Sequence, residues 1–345
     1  MGMLELGLDT FGDVTVGADG QPLTQAEVMR DVVAEAVLAD RLGLDFFGLG
    51  EHHRADFAVS APDVVLAAIA GQTSRIRLGS AVTVLSSDDP VRVFQRFSTL
   101  DAVSNGRAEV ILGRGSFIES FPLFGYALEQ YEQLFEEKLQ LFAELRKEAP
   151  VTWSGATRAG LTEQTVWPPT ASGSLPTWIA VGGSPESVVR AAHYGFPLML
   201  AIIGGDPMQF SAYVDLYHRA LAQFGQTDIP PVGVHAHGYV ARTDEAAIEE
   251  SWPHYEVMHR KIGAERGWPP MTREQYAAGA GPGGAYFVGA PATVAAKIVK
   301  VARGLGLSRF DLKYSIGTLP HELLMTSIEL YGGEVAPLVR EQLAT

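Results

Sequence analysis

The chain has 345 residues, 47% hydrophobic and 19% charged, a balance that builds a large core and excludes a disordered protein. Asp and Glu number 40 against 26 Lys and Arg, and the net charge of -14 sets nucleic acid and anionic membrane surfaces aside as partners. There is no cysteine, which removes disulfides, thiolate metal sites and a cysteine nucleophile. The N-terminal MGMLELGLDT lacks a basic segment followed by a long apolar one, and no run approaches the roughly 18 apolar residues of a membrane span. A cytoplasmic protein is the expectation.

In chain order, short β-rich runs alternate with amphipathic helical runs, the pattern of βαβ units on a parallel sheet. Leu4 to Asp9 reads as the first strand. Val28, Val32, Ala36 and Ala39 then fall on one helical face, closed by Gly43. Asp45 to Leu49 is the second strand and Pro62 to Thr73 a helix. Ile76 to Leu85, rich in β-branched residues, is the third strand, followed by a helix from Pro90 to about Val103. Ala108 to Leu112 is the fourth strand, and the helix after it carries Tyr131, Phe135, Leu139 and Phe142 on one stripe.

Residues 150–175 break the rhythm as a hairpin-like excursion. It resumes with strands at Thr177 to Val181, Pro197 to Ile203, Val232 to Ala241 and Arg309 to Tyr314. Helices are expected at Pro185 to Tyr194, Met208 to Phe224, from about Asp244, at Pro291 to Arg303 and from near Pro320. Residues 265–290 form a second irregular stretch, rich in Gly and Pro. Eight strands and about eight helices make an α/β (β/α)8 TIM barrel with insertions, one domain over 1–345.

In such a barrel the site lies where the strands end at their C-terminal side. That selects Asp9 and Thr10, then Glu51, His52, His53 and Arg54. It also selects Ser86 to Asp89, Gly113-Arg114-Gly115, Gly182-Gly183-Ser184 and Gly204-Gly205-Asp206. VGGSPES (181–187) ends a strand in two glycines, with Ser184 as helix N-cap and Pro185 as first helical residue. The unpaired N–H groups and dipole of that helix suit an anion, and Ser184 and Ser187 add donors. The same motif is also a plain capped helix after a tight turn, and Glu186 opposes an anion unless it points outward. Arg114, between two glycines at a strand end, is either a bidentate phosphate partner or half of a surface ion pair. His52 and His53 are either a proton-handling pair or structural residues at a strand end. His235-x-His237 places two imidazoles on one side of a strand, as some metal hydrolases do, without other clustered ligands.

EHH, then LGSAVTVLSSDDPVRVFQRFSTLDAVSNGRAEVILGRGS, then PTWIAVGGSPESVVRAAHYGFPLML and FVGAPATVAAKIVKVARGLGLSRFDLKY together resemble the bacterial luciferase-like monooxygenases, in order and over essentially the whole chain. Leu78 to Ser116 is the most specific part. The resemblance implies a TIM barrel holding FMN at the strand C-termini, its phosphate met by Arg114, Gly183, Ser184 and Ser187. The flavin ring would lie near Ala81 and Val82, where family members often carry a non-proline cis peptide. His52 matches the active-site histidine. A separate flavin reductase would supply FMNH2, O2 would be the co-substrate with a small organic molecule, and the family often forms homodimers through helices beside the early strands. Gly113 departs from luciferase, which has a cysteine there; that argues against light emission and not against flavin chemistry. Two other readings stand beside it. One is a deazaflavin-dependent hydride-transfer relative. The other is a metal-dependent TIM-barrel hydrolase built on His235, His237 and His52 or His53.

Overall fold

The computed structural model describes residues 3–115 and 117–344; Ser116, the last residue of the most family-like segment, lies outside them, with Met1, Gly2 and Thr345. Eight parallel strands form a closed barrel: β1 (Glu5–Thr10), β2 (Phe46–Leu49), β3 (Arg77–Ser80), β4 (Ala108–Gly113), β5 (Thr177–Val181), β6 (Leu198–Ile202), β7 (Val232–Val240) and β8 (Arg309–Lys313). Each pairs with its neighbours in sequence order, and β8 closes on β1 with Leu6 opposite Phe310 and Asp9 opposite Lys313.

The two faces of each strand carry different residue types, because successive side chains alternate across a pleated strand. Leu6, Leu8, Val110, Leu112, Val234, Ala236, Phe310 and Leu312 point outward into the main apolar core under the helices. Val28, Val32, Ala36 and Ala39 of the first helix (Gln25–Arg41) are buried there, as their spacing predicts. So are Phe135, Leu139 and Phe142 of the helix Tyr131–Leu145. Thr24 and Glu27 form a reciprocal capping box, and Pro62, Pro90, Pro185 and Pro291 open helices where a missing N–H costs nothing.

The inward face of the barrel combines buried charges with a small apolar cluster of Phe46, Ile111, Trp178 and Met199. Arg309 is fully buried, its guanidinium 3.4 Å above the Phe46 ring and 5.2 Å from Trp178. It donates to Glu109 and, at 2.9 Å, to both oxygens of Asp311. Arg77 pairs with Glu5 and Glu109 at the bottom of the same lumen. A buried arginine needs such partners, since an unpaired buried charge is strongly destabilising.

Three expectations are corrected. The third strand is not continuous over 76–85: β3 ends at Ser80, a cis peptide joins Ala81 to Val82, and Thr83–Val84 pairs separately with β4 before a 3-10 turn. The helix expected to reach Thr73 stops at Ala70, capped by Gly71. Residues 265–290 are not simply irregular: they hold a helix, Arg273–Ala280, with its own Thr272/Gln275 capping box, and a strand, Phe287–Gly289, paired with the end of β7. What orders them is tertiary, because Tyr276 packs against Tyr255 and Tyr286 at ring distances of 4.6 and 5.4 Å. The 150–175 excursion does contain an antiparallel hairpin, Val151–Trp153 with Leu161–Gln164.

Candidate active site

The barrel's C-terminal mouth opens into a cavity of about 560 Å³, lined mostly by carbon. Every strand end contributes to it. His52, Ala81, Val82, Arg114, Gly183, Ser184 and Ser187 all line this one cavity, as do Asp9, Glu51, His53, His235 and His237. Thr10, Ser86 to Asp89 and Gly204 to Asp206 do not line it. Thr10 turns away to Ser315 (2.7 Å), Asp89 caps the helix Pro90–Val103, and Asp206 caps the turn at Met208.

The mouth of β4 and β5 gathers a helix N-terminus and two arginines. Ser184 caps the helix Pro185–His193, accepting from Ser187 N–H, after Gly183 bends the chain at φ +124°. Arg114 and Arg190 stand on either side, and one carboxylate, Glu132, spans them, one oxygen on each arginine. Glu132 is 60% exposed, so the carboxylate between the two arginines faces solvent. Of the two readings of Arg114 the structure shows the ion pair, with Glu132 as its partner. Glu186 accepts from Ser184 Oγ at 2.8 Å. Arg190 is absent from the sequence-based set, although its position one turn after Ser187 on a helical face was a readable signal. The residues present fit a phosphate-bearing cofactor such as FMN.

Gly113 is explained by space. A Cβ there would lie 2.6 Å from Val82 Cγ2, so a cysteine has no room beside the Ala81-Val82 peptide.

His52 sits in an aromatic cage, its ring 4.5 Å from Phe11, 4.6 Å from Phe57 and 5.2 Å from Phe117. Burial pushes its imidazole down to about 3, and Lys313, His53 and Arg54 add to this against Asp13. It is a neutral ring at physiological pH. His53 pairs instead with Glu51 at 2.8 Å, whose other oxygen accepts from Val84 N–H.

On the opposite wall, β1, β7 and β8 bring a polar group together. His235 Nδ1 lies 2.7 Å from Asp9 Oδ2. Burial works against a charge on His235, but the carboxylate of Asp9 outweighs it and raises the imidazole above its ordinary value. His237 is held well below, by burial and by the Lys313 cation. Lys313 itself is enclosed by Asp13 and by the Ser315 carbonyl and hydroxyl. Burial lifts Asp311 to about 7 against the pull of Arg309. A metal reading of the His235/His237 pair finds a lysine beside them, and among the described residues no group of three or more His, Asp or Glu is arranged to hold a metal ion. Asp311 and Lys313 are also absent from the sequence-based set; charges at alternate positions of RFDLK were their signal.

Among the described residues no helix is long and apolar enough to cross a membrane. The barrel resembles the monooxygenase RslO1 from Streptomyces bottropensis, with TM-score 0.83, 22% identity and coverage of 97% of this chain and 99% of that one. It resembles the FMN-bound oxygenating constituent of 3,6-diketocamphane monooxygenase from Pseudomonas putida at TM-score 0.77, 19% identity and 97% and 98% coverage. It also resembles the coenzyme F420 dependent tetrahydromethanopterin reductase from Methanopyrus kandleri at TM-score 0.71, 17% identity and 97% and 99% coverage. These likenesses show the fold. In sequence, the chain is 26% identical over 255 residues to an alkanal monooxygenase alpha chain of Photorhabdus luminescens, covering 69% of this chain and 65% of that one. Other curated relatives are matched over about half their length, 52% and 51% for the first two. A model of the luciferase-like monooxygenase family matches residues 10–309, most of the chain. A closed parallel barrel whose C-terminal mouth carries the cavity, matched by that model over most of its length, belongs to the luciferase-like monooxygenase family.

Proposed function

We propose that this protein is the oxygenating component of a two-component system, taking FMNH2 from a separate flavin reductase and using O2 to oxygenate a small organic substrate. The observation that carries the reading is the anion site at β4 and β5: two arginines spanned by one displaceable carboxylate, at the N-terminus of a Ser-capped helix, on the rim of an apolar cavity. Arg114, Arg190, Ser184, Ser187 and the Gly183 backbone would hold the phosphate. Ala81 and Val82 would support the flavin ring, and Gly113 leaves the room. When bound, reduced FMN supplies the electrons that make O2 reactive toward carbon.

The chain's own part is positioning and exclusion of water. Phe11, Phe57, Phe117 and Trp268 give the cavity apolar walls, and a substrate seated against them would displace water and strengthen the polar contacts inside. His52, neutral in its cage, offers one hydrogen-bond donor and one acceptor without adding charge.

Anaerobic titration with FMNH2, followed by O2, tests the reading. The expected result is tight FMNH2 binding, reoxidation slower than that of free FMNH2, and affinity reduced about tenfold or more in Arg114→Ala and in Arg190→Ala. Tight binding of a deazaflavin with no binding of FMN moves the protein to the hydride-transfer branch instead.

A further inference from the structure

The strand order places two different walls across one cavity. The anion site belongs to β4 and β5, and the Ala81-Val82 peptide follows β3. Asp9, His235 and Lys313 belong to β1, β7 and β8, on the far side of the closed ring. Whatever the first wall holds by its phosphate, the second faces the remaining space.

That second wall has the parts of an acid–base site. Asp9 is 1% exposed and fixes His235 through Nδ1. An Nδ1–H donating to a carboxylate leaves Nε2 of the neutral ring as an acceptor. The other Asp9 oxygen, Oδ1, is buried with no hydrogen-bond partner, as is Nδ1 of His237. Buried polar atoms are almost always satisfied, so two orphans on the strands either side of β8 mark this wall as one whose polar capacity the chain itself does not use up. Lys313 is not that group, for its ammonium already donates to Asp13 and twice to Ser315.

We propose that His235, positioned by Asp9, is a catalytic base that takes the proton from a weakly acidic hydroxyl on a conjugated ring of the substrate. The substrate O–H bond breaks, its electron pair stays on oxygen, and the proton forms a new N–H bond at His235 Nε2. The charge that appears on the imidazolium faces the Asp9 carboxylate. No oxidant or reductant enters this step.

The substrate class follows from two constraints. The cavity wall near His235 is aromatic: Phe11 lies 6.2 Å from its ring at 20°, and Phe57 and Phe117 continue the surface. A flat ring fits such a wall. The hydroxyl must also be acidic enough. An aliphatic alcohol, near water at about 16, is out of reach of an imidazole, whereas a conjugated hydroxyl near about 10 is within the range a polarised site can bridge. A ring made electron-rich by loss of that proton is the better partner for an electrophilic oxygen donor, so the proposal rests on and deepens the oxygenase reading. His52 is not the base, since its cage of Phe11, Phe57 and Phe117 opposes a charge.

The groups facing His235 are Asp9 from β1, His237 from its own strand, Asp311 and Lys313 from β8, and the apolar Ala201 from β6. The test needs no cofactor, so its failure is distinguishable from failure of FMN to bind. Purified full-length protein is titrated with 4-nitrophenol, whose phenolate is yellow, at a series of pH values on both sides of the His235 and probe ionisations, with 4-nitroanisole as the non-ionisable control. The wild type is expected to bind 4-nitrophenol as the phenolate. His235→Asn should lower the bound ionised fraction about tenfold while still binding 4-nitroanisole. Asp9→Asn should move the pH midpoint of bound-probe ionisation upward, a shift that a purely structural role would not produce. Binding of the neutral phenol by the wild type, equal ionisation in His235→Asn, or no binding of 4-nitrophenol at all overturns the proposal.

Discussion

His52 and His235 line the same cavity under opposite fields. His52 is caged by rings, and burial, with Lys313, His53 and Arg54 acting in the same direction against Asp13, takes its imidazole to about 3 from an ordinary 6.5. The folded value lies below the unfolded one, so protonation favours unfolding: stability is complete above about pH 6.5 and falls as the pH drops toward 3. The slope for one such group is about 1.4 kcal/mol per pH unit. Unfolding free energies from denaturant titrations at pH 7 and 5.5 should therefore show a loss of about 1 kcal/mol from His52, which His52→Phe removes. His237, also held neutral by burial, adds to the same loss. At the anion site, Glu132 competes with any bound phosphate for Arg114 and Arg190. Glu132→Ala is expected to tighten FMN binding several-fold at low salt by isothermal titration, where Arg114→Ala weakens it. Much of this was legible at the residue scale: His52, Arg114, Ser184 and Ser187 stand at strand ends that the alternation itself marks. Arg190 and Glu132 were not, because their role depends on the helix Tyr131–Leu145 lying against the helix Pro185–His193.

The elements were readable where local chemistry and tertiary need agree. β5 and β7 lie almost where their β-branched runs and flanking glycines or prolines put them. The third strand departs from its β-rich run: Ala81 and Val82 look like any strand residues in composition, while Thr83–Val84 pairs with β4 as a separate piece. The helix Arg273–Ala280 is hard to read locally because its eight residues run into a glycine-rich turn and are held by packing of its own Tyr276 against Tyr255 and Tyr286. Close packing between elements gives one sharp expectation. Gly113 must lack a side chain for β4 to pass Val82, with a 2.6 Å approach for any Cβ. Gly113→Cys should therefore cost about 1–3 kcal/mol by overpacking, read as a fall in Tm, and should also weaken FMN binding.

For the whole molecule, the cavity mouth is tied by charge. Arg54, after β2, donates to Asp56, to Glu119 after β4, and at 2.6 Å to Glu265 on the helix Asp244–Arg266; Lys261 of that helix reaches Asp56. The Arg54 guanidinium also lies 4.5 Å from the Phe117 ring. Several charges meeting on one half-buried guanidinium are worth more than an isolated surface pair, and salt weakens them. Glu265→Gln and raised salt should both speed FMN entry in stopped-flow measurements; equal rates would mean that the mouth does not limit access. The helices Pro62–Ala70 and Pro90–Val103, beside the early strands where the family resemblance implies a homodimer, expose Val64 (65%) and Val103 (56%) on the outer surface. Val64→Asp is expected to shift sedimentation toward monomer.

The sequence by itself determined the kind of barrel, because strand and helix periods, helix caps and the order of eight β-runs are local properties written into short windows. It also determined which strand ends could carry chemistry. Only the tertiary structure decided which of those ends meet. Closing the ring sets β8 beside β1 and β7 beside β8, and this brings Asp9 within 2.7 Å of His235 although 226 residues separate them. It also decided their charge states, since burial and neighbouring charge are sums over everything that packs around a group, and no window of sequence contains that sum.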